Sequence, residues 1–262
     1  MNGIILEKVR AERPLVHHIT NWVTIYDCAN VVRAFGALPV MAHAIEESAD
    51  MARIANALVL NIGTLTPELV ESMIAAGRAA NDRLIPVVLD AVGVGATPLR
   101  SVKALEIMNG VKIDIIKGNA SEIACLAGVS ATTRGVEATE VNVDLAETAG
   151  RLAEDRGAVV AVTGAEDIVT DGEMTLIVRN GHAMMGSIVG TGCMAGSVIG
   201  AFAAVWPDYG RAAAASLACF GIAGERAAAR SAGPGSFKTN LYDEIWALDR
   251  ATVEGMAHVE ER

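Results

Sequence analysis

Four short stretches hold the side chains that could do chemistry, and each of the first three follows a run of Val, Ile or Leu. Asp90 ends Val87-Val-Leu and is followed by AVGVGAT; Lys117, Asn119 and Glu122 lie within IIKGNASE; Thr163 and Gly164 end VVAVTG; Gly190-Thr191-Gly192-Cys193 opens an apolar stretch. Two carboxylates, a lysine, an amide and several glycines suit a magnesium–phosphate site, because magnesium takes one or two carboxylates together with phosphate oxygens. Asn119 and Glu122 also stand three apart before an apolar run, the spacing of a helix cap with its reciprocal partner. The two readings are compatible, since a helix start already favours anions. In the functional one, Glu122 reaches magnesium directly or through water, and Asn119 helps to hold phosphates.

The stretch from Gly190 is the most informative. Glycines let a backbone approach an anion closely, and the free amides and positive dipole end of the following helix point at that place. Gly190, Thr191, Gly192 and Cys193 could thus stabilise charge on a transferred phosphoryl group. Gly192, Gly196 and Gly200 recur every four residues, a spacing that lets two helices pack closely. For Cys193 the helix start predicts a thiol pKa below the usual value of about 8.5. Its expected role is to orient a hydroxyl and accept its proton late; the plainer reading is a small packed side chain.

The elements that must position these residues follow from pattern. Strands are expected at 57–62, 85–89, 113–116, 159–162, 167–170 and 176–179, and helices at 67–81, 97–109, 122–127 and 143–156. Continuous apolar strands suit a sheet covered on both faces, and their alternation with helices predicts a mainly parallel sheet in an α/β protein. Ligands of such sheets bind at the carboxyl ends of the strands, where the chemical residues stand. DIVTDGEMTLIVRN interrupts the alternation and reads as a hairpin turning at Asp171-Gly172. After Gly190, alanine-rich helices are expected to the C-terminus, and residues 1–262 read as one domain.

The chain has 262 residues, 52% of them hydrophobic and 4% aromatic, so a large core must be packed from small side chains. A net charge of −10 argues against a nucleic-acid surface, which needs clustered Lys and Arg. Apolar segments are too short for a membrane span of about 20 residues. Cys28, Cys125, Cys193 and Cys219 stand far apart without a CxxC pair, which fits reduced thiols in a cytoplasmic protein. The adjacent His17 and His18 have no partner at metal spacing and read as buried or capping histidines. A Walker-type loop is missing, since GPGSFKT lacks the glycine before Lys238, and no GxSxG elbow occurs.

Over its whole length the chain resembles the hydroxyethylthiazole kinase family of the ribokinase-like superfamily. The matching motifs are PLVHHITNWV, LPVMAHAIEE, LVLNIGTL, VVLDAVGVGAT, IIKGNASEI, VAVTG, GTGCMAGSVIGAF and GPGSF. The resemblance implies a three-layer α/β/α sandwich and ATP- and Mg2+-dependent phosphorylation of the alcohol of 4-methyl-5-(2-hydroxyethyl)thiazole, a salvage step towards thiamine. It also implies a homotrimer with active sites at subunit interfaces. By motif position, Asn21, Val23, Met41, Gly63, Thr64 and Gly190 line the thiazole pocket, Lys117, Asn119, Thr163 and Gly164 serve ATP, and Asp90 and Glu122 serve magnesium. Ala91 replaces a proline usual in the family, which removes a rigid φ, and Lys117 replaces a common arginine, giving a point charge for a bidentate fork. Three alternatives remain: a kinase of another heterocyclic alcohol, a nucleotide-dependent NAD(P)H-hydrate dehydratase (whose relatives carry aspartate at the position of Cys193), and a non-catalytic nucleotide-binding module.

Overall fold

Short apolar runs and capped helices alternate along the computed structural model, which describes residues 1–129 and 144–262 and the backbone of 133–134 and 137–138. The strands are β1 (Leu15–Ile19), β2 (Leu38–Val40), β3 (Ala57–Asn61), β4 (Val87–Asp90), β5 (Ile115–Asn119), β6 (Thr133–Arg134), β7 (Glu137–Ala138), β8 (Val159–Thr163), β9 (Asp167–Thr170), β10 (Thr175–Val178) and β11 (Val259–Glu261). The helices are α1 (Asn2–Glu12), α2 (Ile25–Phe35), α3 (Ile45–Ile54), α4 (Pro67–Asp82), α5 (Pro98–Gly110), α6 (Ala120–Leu126), α7 (Leu145–Arg156), α8 (Thr191–Ala203), α9 (Tyr209–Ala229), α10 (Pro234–Ala247) and α11 (Arg250–Met256). Nine strands form one sheet in the order β11-β10-β9-β8-β5-β4-β3-β1-β2, while β6 and β7 pair only with each other. From β2 to β8 the pairing is parallel, and β9, β10 and β11 join antiparallel. This is the expected three-layer α/β/α arrangement.

Residues alternate across the sheet with period two, and each face has its own core. Val16, Val59, Val88 and Ile115 pack with α1, α2, α8, α9 and α10 on one side. Leu58, Leu60, Leu89 and Ile116 pack with α4, α5, α6 and α7 on the other. Local chemistry sets the helix starts. Thr66 and Thr97 accept hydrogen bonds from Leu69 N and Arg100 N, each with proline next, where its missing N–H costs nothing.

The structure corrects several expectations. Strands β1 and β2 precede the first expected strand, and β11 ends the chain where only helices were expected. VEE has no apolar run to announce it; Arg179 pairs with Glu260 and Arg211 with Glu261 across that edge. Helix α7 begins at Leu145, with the Asp144 side chain accepting Glu147 N; Val143, the expected start, lies outside the described residues. The hairpin at Asp171-Gly172 is present, with Gly172 at φ 99°.

Candidate active site

Asn61, Asp90 and Lys117 are neighbours in register on β3, β4 and β5, and residues in register on adjacent strands share a face. Lys117 Nζ donates to Asp90 Oδ1 at 3.0 Å, and Asn61 Nδ2 donates to Asp90 Oδ2 at 2.7 Å. Asn61 Oδ1 in turn accepts from Asn21 Nδ2 at 2.9 Å and from Gly63 N at 3.0 Å. The Asn21 amide folds its own turn: Oδ1 accepts from Val23 N and Thr24 N, and Nδ2 also reaches Thr24 Oγ1 at 2.8 Å and Cys193 Sγ at 3.4 Å. One buried polar chain therefore runs from the Asn21 turn to the sealed Asp90–Lys117 pair, whose side chains are 0% and 4% exposed.

Helix α8 lies directly over this chain. A methyl group added at Gly192 would stand 3.3 Å from Lys117 Nζ, at Gly196 3.1 Å from Asp90 Oδ2, and at Gly200 2.5 Å from Val59 Cγ2. The glycine stripe thus seats the helix on the sheet, and does not serve the helix–helix contact expected of its spacing. Gly190 begins the helix at φ 98°, with Thr24 Cγ2 2.6 Å from where a Cβ would be. A left-handed φ and this crowding both require glycine there.

Fixed charges of both signs converge here. Burial alone would depress the Lys117 ammonium pKa, but the Asp90 and Glu122 carboxylates outweigh it and hold it above the usual lysine value. That fixed cation lies beside the helix start, so two positive sources point at one place. Burial raises the Asp90 carboxyl, with Lys117 and Asn61 pulling the other way. Burial and the Asp90 charge also push the Cys193 thiol up. This is the opposite of the expected lowering: burial and the Asp90 charge outweigh Lys117 and the hydrogen bonds of Thr24 and Asn61, and Cys193 stays a thiol at neutral pH.

Asn119 and Glu122 form the complete cap. Asn119 Oδ1 accepts from Glu122 N at 3.0 Å, and Glu122 Oε2 accepts from Asn119 N at 2.7 Å. Glu122 Oε1 accepts from Gly93 N at 2.6 Å, beneath the loop after β4. Every oxygen of Asp90 and Glu122 thus already accepts one hydrogen bond, and both residues are buried. Two carboxylates and one ammonium leave one net negative charge. That donor set would fit a magnesium ion held through water, since each carboxylate oxygen keeps acceptor capacity beyond the one hydrogen bond named. Among the described residues, no three His, Cys, Asp or Glu side chains gather into a metal cluster.

Two clefts border the chain. Thr163 and Gly164 line one of about 500 Å³ together with Thr191, Gly192, Asp167, Met185, Leu217 and Phe220, which brings two of the four expected nucleotide residues to the start of α8. Lys117 lies buried beneath, and Asn119 is engaged in its cap. The other, about 830 Å³, is lined by Val23, Asp27, Val189, Lys238 and Tyr242. Of the expected thiazole residues, Val23 N donates to Asn21 Oδ1, Gly63 packs against Asn21 Cβ, Thr64 Oγ1 accepts from Trp22 N, and Gly190 abuts Thr24, so with Asn21 itself five of the six gather at the Asn21 turn. Val23 is 67% exposed. Met41 follows β2, two residues before His43, whose ring meets Trp22 at 4.7 Å between centroids. His17 and His18 are fully buried on β1, as expected.

Three site residues escaped the sequence reading. Asn61 is the largest omission, although it ends LVLN as Asp90 ends VVLD, and reading the last strand residue would have found it. Arg100 donates to the carbonyls of Ile62, Gly63 and Val92 and so clamps the ends of β3 and β4 together. Its position on α5 gave no signal. Asp167 lines the 500 Å³ cleft and accepts from Gly164 N at 2.9 Å; burial raises its carboxyl pKa to about 6.

Comparison with known proteins accords with this geometry. The hydroxyethylthiazole kinase family matches residues 6–251. A hydroxyethylthiazole kinase of Methanosarcina mazei is 60% identical over 256 residues, covering 98% of each chain. The structure of a hydroxyethylthiazole kinase from Pyrococcus horikoshii OT3 superposes with a TM-score of 0.91 at 40% identity, covering 100% of this chain and 98% of the other. A ribokinase-like superfamily protein from Enterococcus faecalis shares the fold, with a TM-score of 0.65 at 11% identity over 95% of each chain. The chain belongs to the hydroxyethylthiazole kinase family and is a kinase of ribokinase-like fold.

Proposed function

We propose that this kinase transfers the γ-phosphoryl group of ATP to the primary alcohol of 4-methyl-5-(2-hydroxyethyl)thiazole, in thiamine salvage. The observation that carries the reading is the meeting of the Asp90–Lys117 pair with the amide start of α8 and Cys193. ATP lies in the 500 Å³ cleft against Thr163, Gly164, Thr191 and Gly192, with Lys117 and Asn119 below its phosphates. The thiazole alcohol lies on the Asn21 side, against Val23, Met41, Gly63, Thr64 and Gly190. Asp90 and Glu122 would hold magnesium through water, and the ion would supply charge neutralisation of the triphosphate. The alcohol oxygen forms a bond to the γ-phosphorus as the bond to the β,γ-bridging oxygen breaks, and ADP leaves with that electron pair. A loose transition state needs little base assistance. Cys193, kept as a thiol, therefore orients the hydroxyl, whose proton passes to a phosphoryl oxygen. Amides of α8 and the Lys117 ammonium stabilise the charge, a contribution of order 3 kcal/mol for one well-placed donor.

Exposed Trp22, Val23, Tyr26 and Val189 stand beside the substrate side, and their exposure supports a homotrimer in which a second copy covers this face. Among the described residues no helix is long and apolar enough to cross a membrane, in keeping with a cytoplasmic enzyme acting as a single domain over residues 1–262. Incubation with Mg-ATP and the thiazole alcohol should yield ADP and thiazole phosphate by mass spectrometry. Absence of the phosphate ester would overturn the proposal, and conversion of hydrated NADH in a parallel arm would reassign the reaction to a lyase. Sedimentation of the intact protein reads the oligomer.

A further inference from the structure

Asn61 is 1% exposed, lines neither cleft, and yet bonds to both halves of the site. Its orientation has only one solution. Gly63 N can only donate, so it fixes Oδ1; the ionised Asp90 can only accept, so it fixes Nδ2. The Asn21 amide is fixed in the same way, because its Oδ1 takes Val23 N and Thr24 N and its Nδ2 must face Asn61. Donors therefore run in one direction from the Asn21 turn through Asn61 to Asp90, and Lys117 meets that carboxylate from the far side. Alanine at position 61 would lose both ends.

We propose that Asn61 is a positioning residue for phosphoryl transfer, whose carboxamide sets the distance between the acceptor side of the site, Asn21 and Cys193, and the phosphate side, Asp90 and Lys117. This rests on the function proposed above. The acceptor oxygen must stand about 3–3.5 Å from the phosphorus it attacks. Its supports, Asn21 on the turn after β1 and Lys117 on β5, come from strands separated by β3 and β4. Asn61 is the side chain that spans this gap with hydrogen bonds to both sides. Cys193 is drawn into the same chain by the Asn21 amide, so a shift at position 61 moves the thiol as well as the carboxylate.

The test is steady-state kinetics of the full-length protein carrying Asn61→Ala, Asn21→Ala or both, beside wild type. Calorimetric affinity for the thiazole alcohol alone and thermal melts are recorded for each. Asn61→Ala is expected to lower kcat about 100-fold, the cost of a misplacement near 1 Å. The KM values and the calorimetric affinity are expected to stay within about threefold, because no substrate contact is lost. If the two amides act as one chain, the double variant has a kcat no lower than that of the slower single variant, whereas independent damage multiplies. Should Asn61→Ala not fold, Asn61→Ser, too short to bridge Asn21 and Asp90, carries the same prediction. An unchanged kcat, a loss confined to KM and affinity, or multiplicative losses would each overturn the proposal. A wild type that binds but does not phosphorylate the thiazole alcohol would instead overturn the function on which it rests.

Discussion

Asp90 and Glu244 are both buried carboxylates that meet cations, and they are not in the same state. Glu244 on α10, 1% exposed, accepts from Arg226 Nε at 2.6 Å and from Arg230 at 2.5 Å; the guanidinium-bearing side chains are 36% and 68% exposed. Burial pushes its carboxyl pKa up, but the two arginines outweigh burial and leave it below the ordinary value. Asp90 has one lysine, sealed with it, and its carboxyl stays raised. At Glu244 the protein supplies all the charge the carboxylate needs, from side chains that remain partly in water. At the strand ends it leaves a cation, two carboxylates and a helix start incompletely matched, which is the condition of a place that takes its missing charge from a ligand. Burial of an ion pair does not by itself mark a site; an unbalanced one beside a cleft does.

The sharpest way to break this contrast is Lys117→Met. It strands Asp90 as an uncompensated charge, so stability should fall by about 3–5 kcal/mol in urea titrations. Turnover of the folded fraction should fall by about 100- to 1,000-fold, as when one preorganised donor is removed. A variant as stable as wild type would show that Asp90 does not depend on its partner. Acid separates the regions next. His18 is fully buried and its pKa is depressed from 6.5 to about 3, so the unfolded chain binds its proton first. Stability is then complete above pH 6.5 and is lost as the pH falls towards 3, by about 3 kcal/mol at pH 4 at 1.4 kcal/mol per pH unit. Glu244, with a lowered folded pKa, contributes stability that is complete above its unfolded value of 4.5 and is lost only below it. Below pH 6 the Asp167 carboxyl, raised to about 6, works in the opposite direction, so the histidine is read as the difference between wild type and His18→Gln. Between pH 6.5 and 4.5 the wild type should lose stability relative to the variant, and a constant difference would refute its buried neutral state.

Glu244→Gln is the counterpart of the lysine variant with the smaller effect. Its arginines can turn to water, so a loss of about 1–3 kcal/mol is expected from the charged hydrogen bonds, with kcat and KM unchanged. A change in kcat would mean that the α10 cluster reaches the site. Cys193→Ser is the mildest. A thiol that only orients the alcohol should cost less than about 100-fold in kcat, the lower range of general acid–base contributions. A larger loss with thiazole and ATP binding intact would make Cys193 a base and bring the strand-end region closer to a conventional proton-transfer site.

Much of this site was legible because its residues end buried strands. VVLD and IIKGN announced Asp90 and Lys117, and Asn119 to Glu122 announced a cap that forms as its spacing predicts. What the sequence could not show is register. Asn61 becomes the partner of Asp90 only when β3 and β4 align, and Arg100 becomes a clamp only when α5 swings back over two strand ends. Strand β11 was hidden because charged residues on an edge strand carry no apolar alternation. The glycine stripe was visible, but its partner was not: spacing reports which face of a helix is smooth, and tertiary packing decides what lies against it. The Cys193 thiol was misjudged because helix position is local information, whereas burial and the neighbouring Asp90 are not.

The stripe also bears on protein engineering. Exchanging a helical glycine for alanine ordinarily gains about 1 kcal/mol, and any scheme that scores residues by propensity would choose Gly200 early. Here the added methyl would meet Val59 Cγ2 at 2.5 Å, so either Val59 must leave its rotamer or the helix that carries Cys193 must lift from the sheet. A heat-tolerant variant obtained that way would keep its shape in a melting assay and lose its rate, so libraries aimed at thermostability in this protein are best screened by turnover from the first round.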